Sequence, residues 1–286
     1  MNILIIGGAG FIGSHLCESY SNNHNVTSLD NYISGKNDNH VNGVQYLNMD
    51  AKDILSLEPK YDLIFHLGEY SRVEQSFDDI DSVWEYNNLG TFQVLKFCRD
   101  NACKIIYAGS STKFGDGGLG RFQSPYAWIK ASNTELVKNF SDWFDVPYAI
   151  VYFYNAYGPR EIRAGRYATL IALFAEKMRK GEPLTVVSPG KQERNFTHVW
   201  DIIRALVKIG EDGYGDGYGI GNPESFSVLE IADMFGGKIE LLPKRRGNRM
   251  TADLVIDKTQ ALGWNPRHSI KDYIEELRSL SWRDIK

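Results

Sequence analysis

Tyr126 and Lys130 stand four residues apart in the segment Ser124-Pro125-Tyr126-Ala127-Trp128-Ile129-Lys130. At the start of a helix, that spacing projects both side chains from one face into the same cleft. An ammonium beside a phenol favours the phenolate and draws its pKa down from ~10, so the pair can serve as a general base. Ser110, which opens the run Ser110-Ser111-Thr112, can offer a hydroxyl to the same substrate oxygen and help to pass the proton. Taken alone, a tyrosine and a lysine so spaced also describe a solvated helix face.

A second chemical signal lies at the start of the chain. Gly7, Gly10 and Gly13, in Gly7-Gly8-Ala9-Gly10-Phe11-Ile12-Gly13, follow an apolar run at once and open a helical pattern. Glycines there let the backbone turn tightly and approach a pyrophosphate, whose charge then sits at the helix N-terminus. Asp30 ends the next apolar run, about 20 residues on. A carboxylate at that place binds a ribose hydroxyl and repels a 2′-phosphate, which favours NAD over NADP. Asp50 would lie near the adenine edge or form a turn. Leu67, Gly68 and Glu69 would reach the second half of the cofactor.

These residues need a scaffold that gathers strand ends. Apolar runs at 2–6, 26–29, 44–47, 63–67, 104–108 and 148–152 alternate with helical patterns at 11–22, 83–100 and 125–144. This is the rhythm of a doubly wound parallel sheet covered by helices on both faces, a Rossmann α/β fold. The rhythm changes after Asn155, where Gly158-Pro159 breaks the chain. A cofactor domain over 1–154, carrying the Tyr-Lys pair, and a smaller α/β substrate lobe over 155–286 are therefore predicted. In the lobe we expect helices at 167–180, 199–209, 227–235 and 270–280, strands at 184–187 and 238–242, and a glycine-rich loop over 213–221.

Composition narrows the function. The net charge of -4 is spread without a basic stripe, which argues against a nucleic-acid partner. The apolar start is too short for a bilayer span or a signal peptide, so a cytoplasmic protein with no membrane association is expected. Cys17, Cys98 and Cys103 form no CxxC pair and sit in or beside apolar runs, which reads as buried thiols in a reducing compartment, with no metal site.

Taken together, the motifs resemble the extended short-chain dehydrogenase/reductases, and among them the nucleotide-sugar epimerases and dehydratases. The resemblance runs across nearly the whole chain and is carried by the GGAGFIGSHL opening, Asp30-Asn31, His66-Leu67-Gly68, Asn87 in NNLGT, the serine triplet and the tyrosine block. To these add Asn155-Ala156-Tyr157-Gly158-Pro159-Arg160 and Arg194-Asn195-Phe196-Thr197-His198-Val199-Trp200-Asp201. The resemblance implies cofactor contacts at Gly7, Gly10, Phe11, Ile12, Gly13, Asp30, Asn31, Asp50, Ala51, Leu67, Gly68, Glu69, Ser71, Asn87, Tyr126, Lys130 and Tyr152. It implies substrate contacts at Ser110, Ser111, Thr112, Tyr126, Asn155, Arg194 and Arg245.

In such enzymes the tyrosine takes the sugar hydroxyl proton while a hydride passes from carbon 4 to the nicotinamide. The keto sugar then turns over and is reduced on its other face, loses water, or, where it carries a carboxylate, loses carbon dioxide. Similar dehydratases place an Asp-Glu pair just after the position matching Ser110, where this chain has Ser111 and Thr112. That ranks 4-epimerisation of a nucleotide-diphosphate sugar first, with UDP-glucose and UDP-galactose or their N-acetyl forms as the sugars the resemblance suggests. A 4,6-dehydratase or decarboxylase follows, and a non-catalytic NAD-binding regulator, which would lack the Tyr-Lys pair, comes last. The resemblance also implies a homodimer built on the helices at 83–100 and 125–144, although burial within one chain explains the same apolar faces.

Two segments depart from the pattern. Glu69 stands where a small residue is usual, with Arg72 and Glu74 close by. These charges can supply the cleft or simply pair with one another, and surface or structural pairing is our expectation. The loop over 115–123, with its four glycines, is shorter than is common and reads as a flexible lid or a compact turn.

Overall fold

Ile3, Leu4, Ile5 and Ile6 are all buried, as are Ile64, Phe65, Ile105 and Ile106. Runs of this kind have no wet face, and they extend as strands between two helical layers. The computed structural model describes residues 1–58, 61–243 and 253–282. Its strands are β1 (Asn2–Ile6), β2 (Asn25–Asp30), β3 (Val44–Asn48), β4 (Leu63–His66), β5 (Lys104–Ser110), β6 (Tyr148–Phe153), β7 (Ala156–Tyr157), β8 (Leu184–Val187), β9 (Glu193–Asn195), β10 (Thr197–His198), β11 (Gly215–Ile220), β12 (Ser225–Ser227) and β13 (Ile239–Leu242). The helices are α1 (Phe11–Tyr20), α2 (Ile80–Val83), α3 (Gly90–Asn101), α4 (Pro125–Phe144), α5 (Leu170–Lys180), α6 (Val199–Asp212), α7 (Val228–Phe235), α8 (Asp257–Ala261) and α9 (Ile270–Ser279).

Seven parallel strands form the main sheet in the order β11-β6-β5-β4-β1-β2-β3. Strand order reverses between β1 and β4, and the crevice at that switch point is where such sheets hold ligands. Alternation along β1 sends Ile3 and Ile5 to one face, where they meet Leu16 of α1 and Ile202 and Leu206 of α6. Leu4 and Ile6 go to the other face with Val94 of α3 and Val137 and Phe140 of α4. Each such side chain contributes about 1.5–3 kcal/mol. A third core joins Phe174, Leu184, Val186, Ile231, Phe235 and Ile274, and this is the smaller lobe.

The structure corrects three expectations. The glycine-rich stretch predicted as a loop is β11, the edge strand beside β6. With α6, it returns the chain from the smaller lobe to the first sheet, so residues 199–220 belong to the first core. The helix expected over 83–100 is α2, then a wider π-type turn at Trp84–Leu89, then α3. The segment after Ser110 forms two short 3-10 turns, Ser111–Phe114 and Asp116–Phe122. Gly117 and Gly118 sit there at φ of 68° and 89°, which side chains avoid.

Candidate active site

Ser124 caps α4 by accepting the Ala127 amide at 3.1 Å, and Pro125 fits the first turn, where its missing N–H costs nothing. The cap fixes the start of the helix, and Tyr126 and Lys130 follow one turn apart on its inner face. Both line a cleft of about 700 Å³ that also takes in Gly7, Gly10, Phe11, Ile12, Gly13, Asp30 and Asn31. Leu67, Gly68, Glu69, Ser71, Ser110, Ser111, Thr112, Asn155 and Arg194 line it as well. The phenol thus shares one cavity with the opening glycines.

The glycine turn is tight enough to exclude side chains. A Cβ on Gly13 would stand 2.1 Å from the Gly7 carbonyl oxygen, and Gly7, at φ of 87°, packs against Gly68. Asp30 accepts the Ala9 amide at 2.9 Å and the Tyr32 amide at 2.8 Å. Burial pushes its carboxyl up, and those two amides offset part of the rise. A bare backbone at a helix N-terminus with a carboxylate across the turn fits a dinucleotide's pyrophosphate and ribose.

Lys130 is buried and donates to the Ala108 carbonyl and to the carboxylate of Glu69. The two partners of this ion pair are each 4% exposed. Glu69 Oε1 accepts from Thr91 Oγ1 at 2.9 Å, Tyr107 OH at 3.1 Å and Asn133 Nδ2 at 3.2 Å. Thr91 in turn meets His66 Nε2 at 3.0 Å, and burial lowers the His66 pKa to about 4. The pairing is structural and not among the three charges themselves: Glu69 is the buried counter-ion of Lys130, and Arg72 donates to the Tyr167 carbonyl, with Nε at 3.1 Å. Ser110 Oγ lies 2.8 Å from Thr112 Oγ1, so the two hydroxyls form one polar edge.

Four expected contacts lie off the cleft. Tyr152 points the other way, because strand alternation gives the cleft to Phe153; its hydroxyl bonds Asp216 Oδ1 and Lys113 Nζ, each at 2.6 Å. Asn87 is fully buried and acts behind the wall, its amide holding both the N–H and the carbonyl of Tyr70, at 2.6 and 2.9 Å. Asp50 supports the lining from behind, accepting Asn31 Nδ2 at 2.5 Å, and Ala51 packs into the core. Arg245 falls outside the described residues.

At the lobe end, Asn155 holds a left-handed backbone at φ of 34° and donates to the Asn195 carbonyl at 2.9 Å. This seats it beside Arg194 of β9 in the cleft wall. Tyr167, Thr169, Gln192 and Phe196 complete that wall. Sequence reasoning did not single out these four as site residues: Tyr167 and Thr169 directly precede α5, Gln192 and Phe196 flank β9, and only the fold brings the two segments to one wall.

Residues 3–221 match the NAD dependent epimerase/dehydratase family. The chain belongs to that family. Its cofactor is accordingly NAD. A putative UDP-glucose 4-epimerase of Methanocaldococcus jannaschii is 28% identical, over 98% of this chain and 97% of that one. The fold superposes on the UDP-glucose 4-epimerase of Thermus thermophilus in complex with NAD, with a TM-score of 0.89, 26% identity and full coverage of both chains. It also superposes on a UDP-glucuronic acid 4-epimerase from Bacillus cereus in complex with UDP-glucuronic acid and NAD, with a TM-score of 0.86, 26% identity and coverage of 96% and 97%. Among the described residues, no cluster suited to a metal ion occurs and no helix is long and apolar enough to cross a membrane.

Proposed function

We propose that this family member inverts carbon 4 of a UDP-sugar. The observation that carries the reading is the single cleft that joins the glycine turn to Tyr126, Lys130 and a hydroxyl edge. Tyr126 takes the proton of the 4-hydroxyl as general base, and Ser110 with Thr112 orients that oxygen. NAD supplies the site that accepts the carbon 4 hydride and gives it back. Lys130 lines the same cleft, held by Glu69 and Ala108, and its ammonium would hold a ribose of bound NAD. Tyr126 returns the proton after the keto sugar has turned its other face, so the reaction is redox-neutral.

Elimination of water needs an acid and a base beyond this tyrosine. Ser111 and Thr112 occupy the places that would supply them, and Glu69 is committed to Lys130. Epimerisation therefore stands ahead of the dehydratase activity found among relatives. Asn155 and Arg194 are assigned to the diphosphate, because a guanidinium can bind its oxygens bidentately.

We also assign a homodimer. Trp84, Leu89, Phe92, Trp128, Trp143 and Phe144 stand exposed on the segment from α2 to α3 and on α4, and a patch of that kind marks an interface. The free, buried Cys17, Cys98 and Cys103 suit the reducing cytoplasm. The test is incubation of the NAD-loaded protein with UDP-, dTDP- and GDP-sugars, with products identified by NMR. Conversion of one UDP-sugar to its 4-epimer is expected, and its loss in Tyr126→Phe with NAD still bound. Accumulation of a dehydrated keto sugar, or turnover unchanged in Tyr126→Phe, would refute the reading.

A further inference from the structure

Among the described residues, Arg72 is a cation in the cleft wall without a charged partner. Its guanidinium makes four hydrogen bonds, all to neutral acceptors: Nε and Nη2 to the Tyr167 carbonyl, and Nη1 to Ser71 O at 2.9 Å and Ser71 Oγ at 3.1 Å. It forms no ion pair among the described residues; its guanidinium lies 5.9 Å from the centre of the Tyr167 ring, and Tyr70 and Tyr126 line the same cleft. Three acids lie nearby: Glu74, which lines the same cleft, makes no bond to Arg72 and is not free, and the other two are engaged elsewhere. Glu69 holds Lys130, and Asp79 holds Arg166 at 2.9 Å and Tyr70 OH at 2.8 Å.

The loop is also fastened in place, since Gln75 Nε2 donates to the Arg166 carbonyl at 2.9 Å and Ser76 Oγ accepts the Tyr126 amide at 3.3 Å. A guanidinium so oriented has lost hydration, which lowers its pKa, and gains no counter-charge from the described residues in return. With five N–H groups on arginine, an Nη2 hydrogen is left for a ligand.

We propose that Arg72 receives a negative charge on the sugar ring, which makes the substrate class a UDP-sugar with a carboxylate at carbon 6, a uronic acid. The proposal rests on the nucleotide-sugar reading given above. Tyr126 marks the reacting carbon 4, and carbon 6 is the ring substituent one atom beyond its neighbour, so a cation that lines the cleft with Tyr126, on the loop whose Ser76 accepts the Tyr126 amide, is placed for that end of the sugar. The diphosphate is assigned to Arg194 and Asn155, on other elements. A charge-assisted bond from a held guanidinium is worth about 10- to 100-fold in affinity.

The test is calorimetric titration of UDP, UDP-glucose and UDP-glucuronate into the NAD-loaded Tyr126→Phe protein, with and without Arg72→Gln. UDP-glucuronate should bind at least about 10-fold more tightly than UDP-glucose. Arg72→Gln should erase that preference while leaving UDP and UDP-glucose unchanged. Arg72→Lys, which keeps the charge, should retain part of it. Equal affinity for the two sugars, or a preference that survives Arg72→Gln, overturns the proposal. So does an equal weakening of UDP itself in Arg72→Gln, which would give the cation to the diphosphate. Absence of UDP binding in either protein would sink the nucleotide-sugar reading as well, and so separates the two failures.

Discussion

Replacing Glu69 with alanine strips Lys130 of its counter-ion where water cannot take over. Both side chains are 4% exposed, and Thr91, Tyr107 and Asn133 each lose an acceptor in the same step. Removing one partner of a buried pair costs about 3–5 kcal/mol, most of it the burden of the charge left behind. At roughly 2–4 °C per kcal/mol for a chain of this order, Tm should fall by about 6–20 °C. Glu69→Gln keeps the shape and an acceptor but not the charge, and should fall between wild type and alanine. The double substitution Glu69→Leu with Lys130→Met removes both charges and should lose less than Glu69→Ala alone, with a coupling energy above ~1 kcal/mol. Calorimetry on the NAD-free protein at pH 7 reads wild type and these variants, with Glu69→Leu and Lys130→Met singly to close the cycle. A loss below about 1 kcal/mol in Glu69→Ala, or simple additivity in the cycle, would mean that the pair does not hold the site together.

Other consequences can be checked singly. Gly13→Ala places a Cβ 2.1 Å from the Gly7 carbonyl oxygen; NAD affinity, read by fluorescence titration, should drop at least about 10-fold, and an unchanged affinity would contradict the cradle. Burial raises the Glu161 carboxyl from 4.5 to about 7. An acid raised in the folded state gives stability that is intact below 4.5 and lost as pH climbs through about 7. Glu161→Gln should therefore gain on the order of 3 kcal/mol over wild type at pH 8 and little at pH 4.5, and an equal difference at both would refute it. His15, His66 and His198 are each lowered by burial to about 4 from 6.5. Bases depressed in this way give stability that is present above 6.5 and lost as pH falls toward 4, so Tm should decline steeply across that window. A flat profile there would show that the rings are not held neutral.

The sheet and α4 were legible because their signals are local: strands buried on both faces are continuous apolar runs, and Ser124-Pro125 announces a helix. β11 was not, since its glycines carry no side-chain pattern. They are there because a Cβ on Gly219 would stand 1.7 Å from the Val255 carbonyl oxygen, a contact made by chain folded back from far along the sequence. The Glu69–Lys130 pair escaped for the same reason, being 61 residues apart in sequence and joined only when β4 and β5 bring their ends beside α4. Tyr152 was missed by one residue, which on a strand is the difference between cleft and core. Asn87 was placed at the right corner but in the wrong layer, because a π-type turn carries it under Tyr70.

The most direct test follows one atom. A UDP-sugar carrying deuterium at carbon 4 is incubated in ordinary water with the NAD-loaded protein, and the recovered epimer is examined by NMR. Transfer of the hydride to a bound nicotinamide and back predicts that the deuterium remains at carbon 4 of the product. Its replacement by solvent hydrogen would contradict the account, since inversion would then proceed by proton exchange with water.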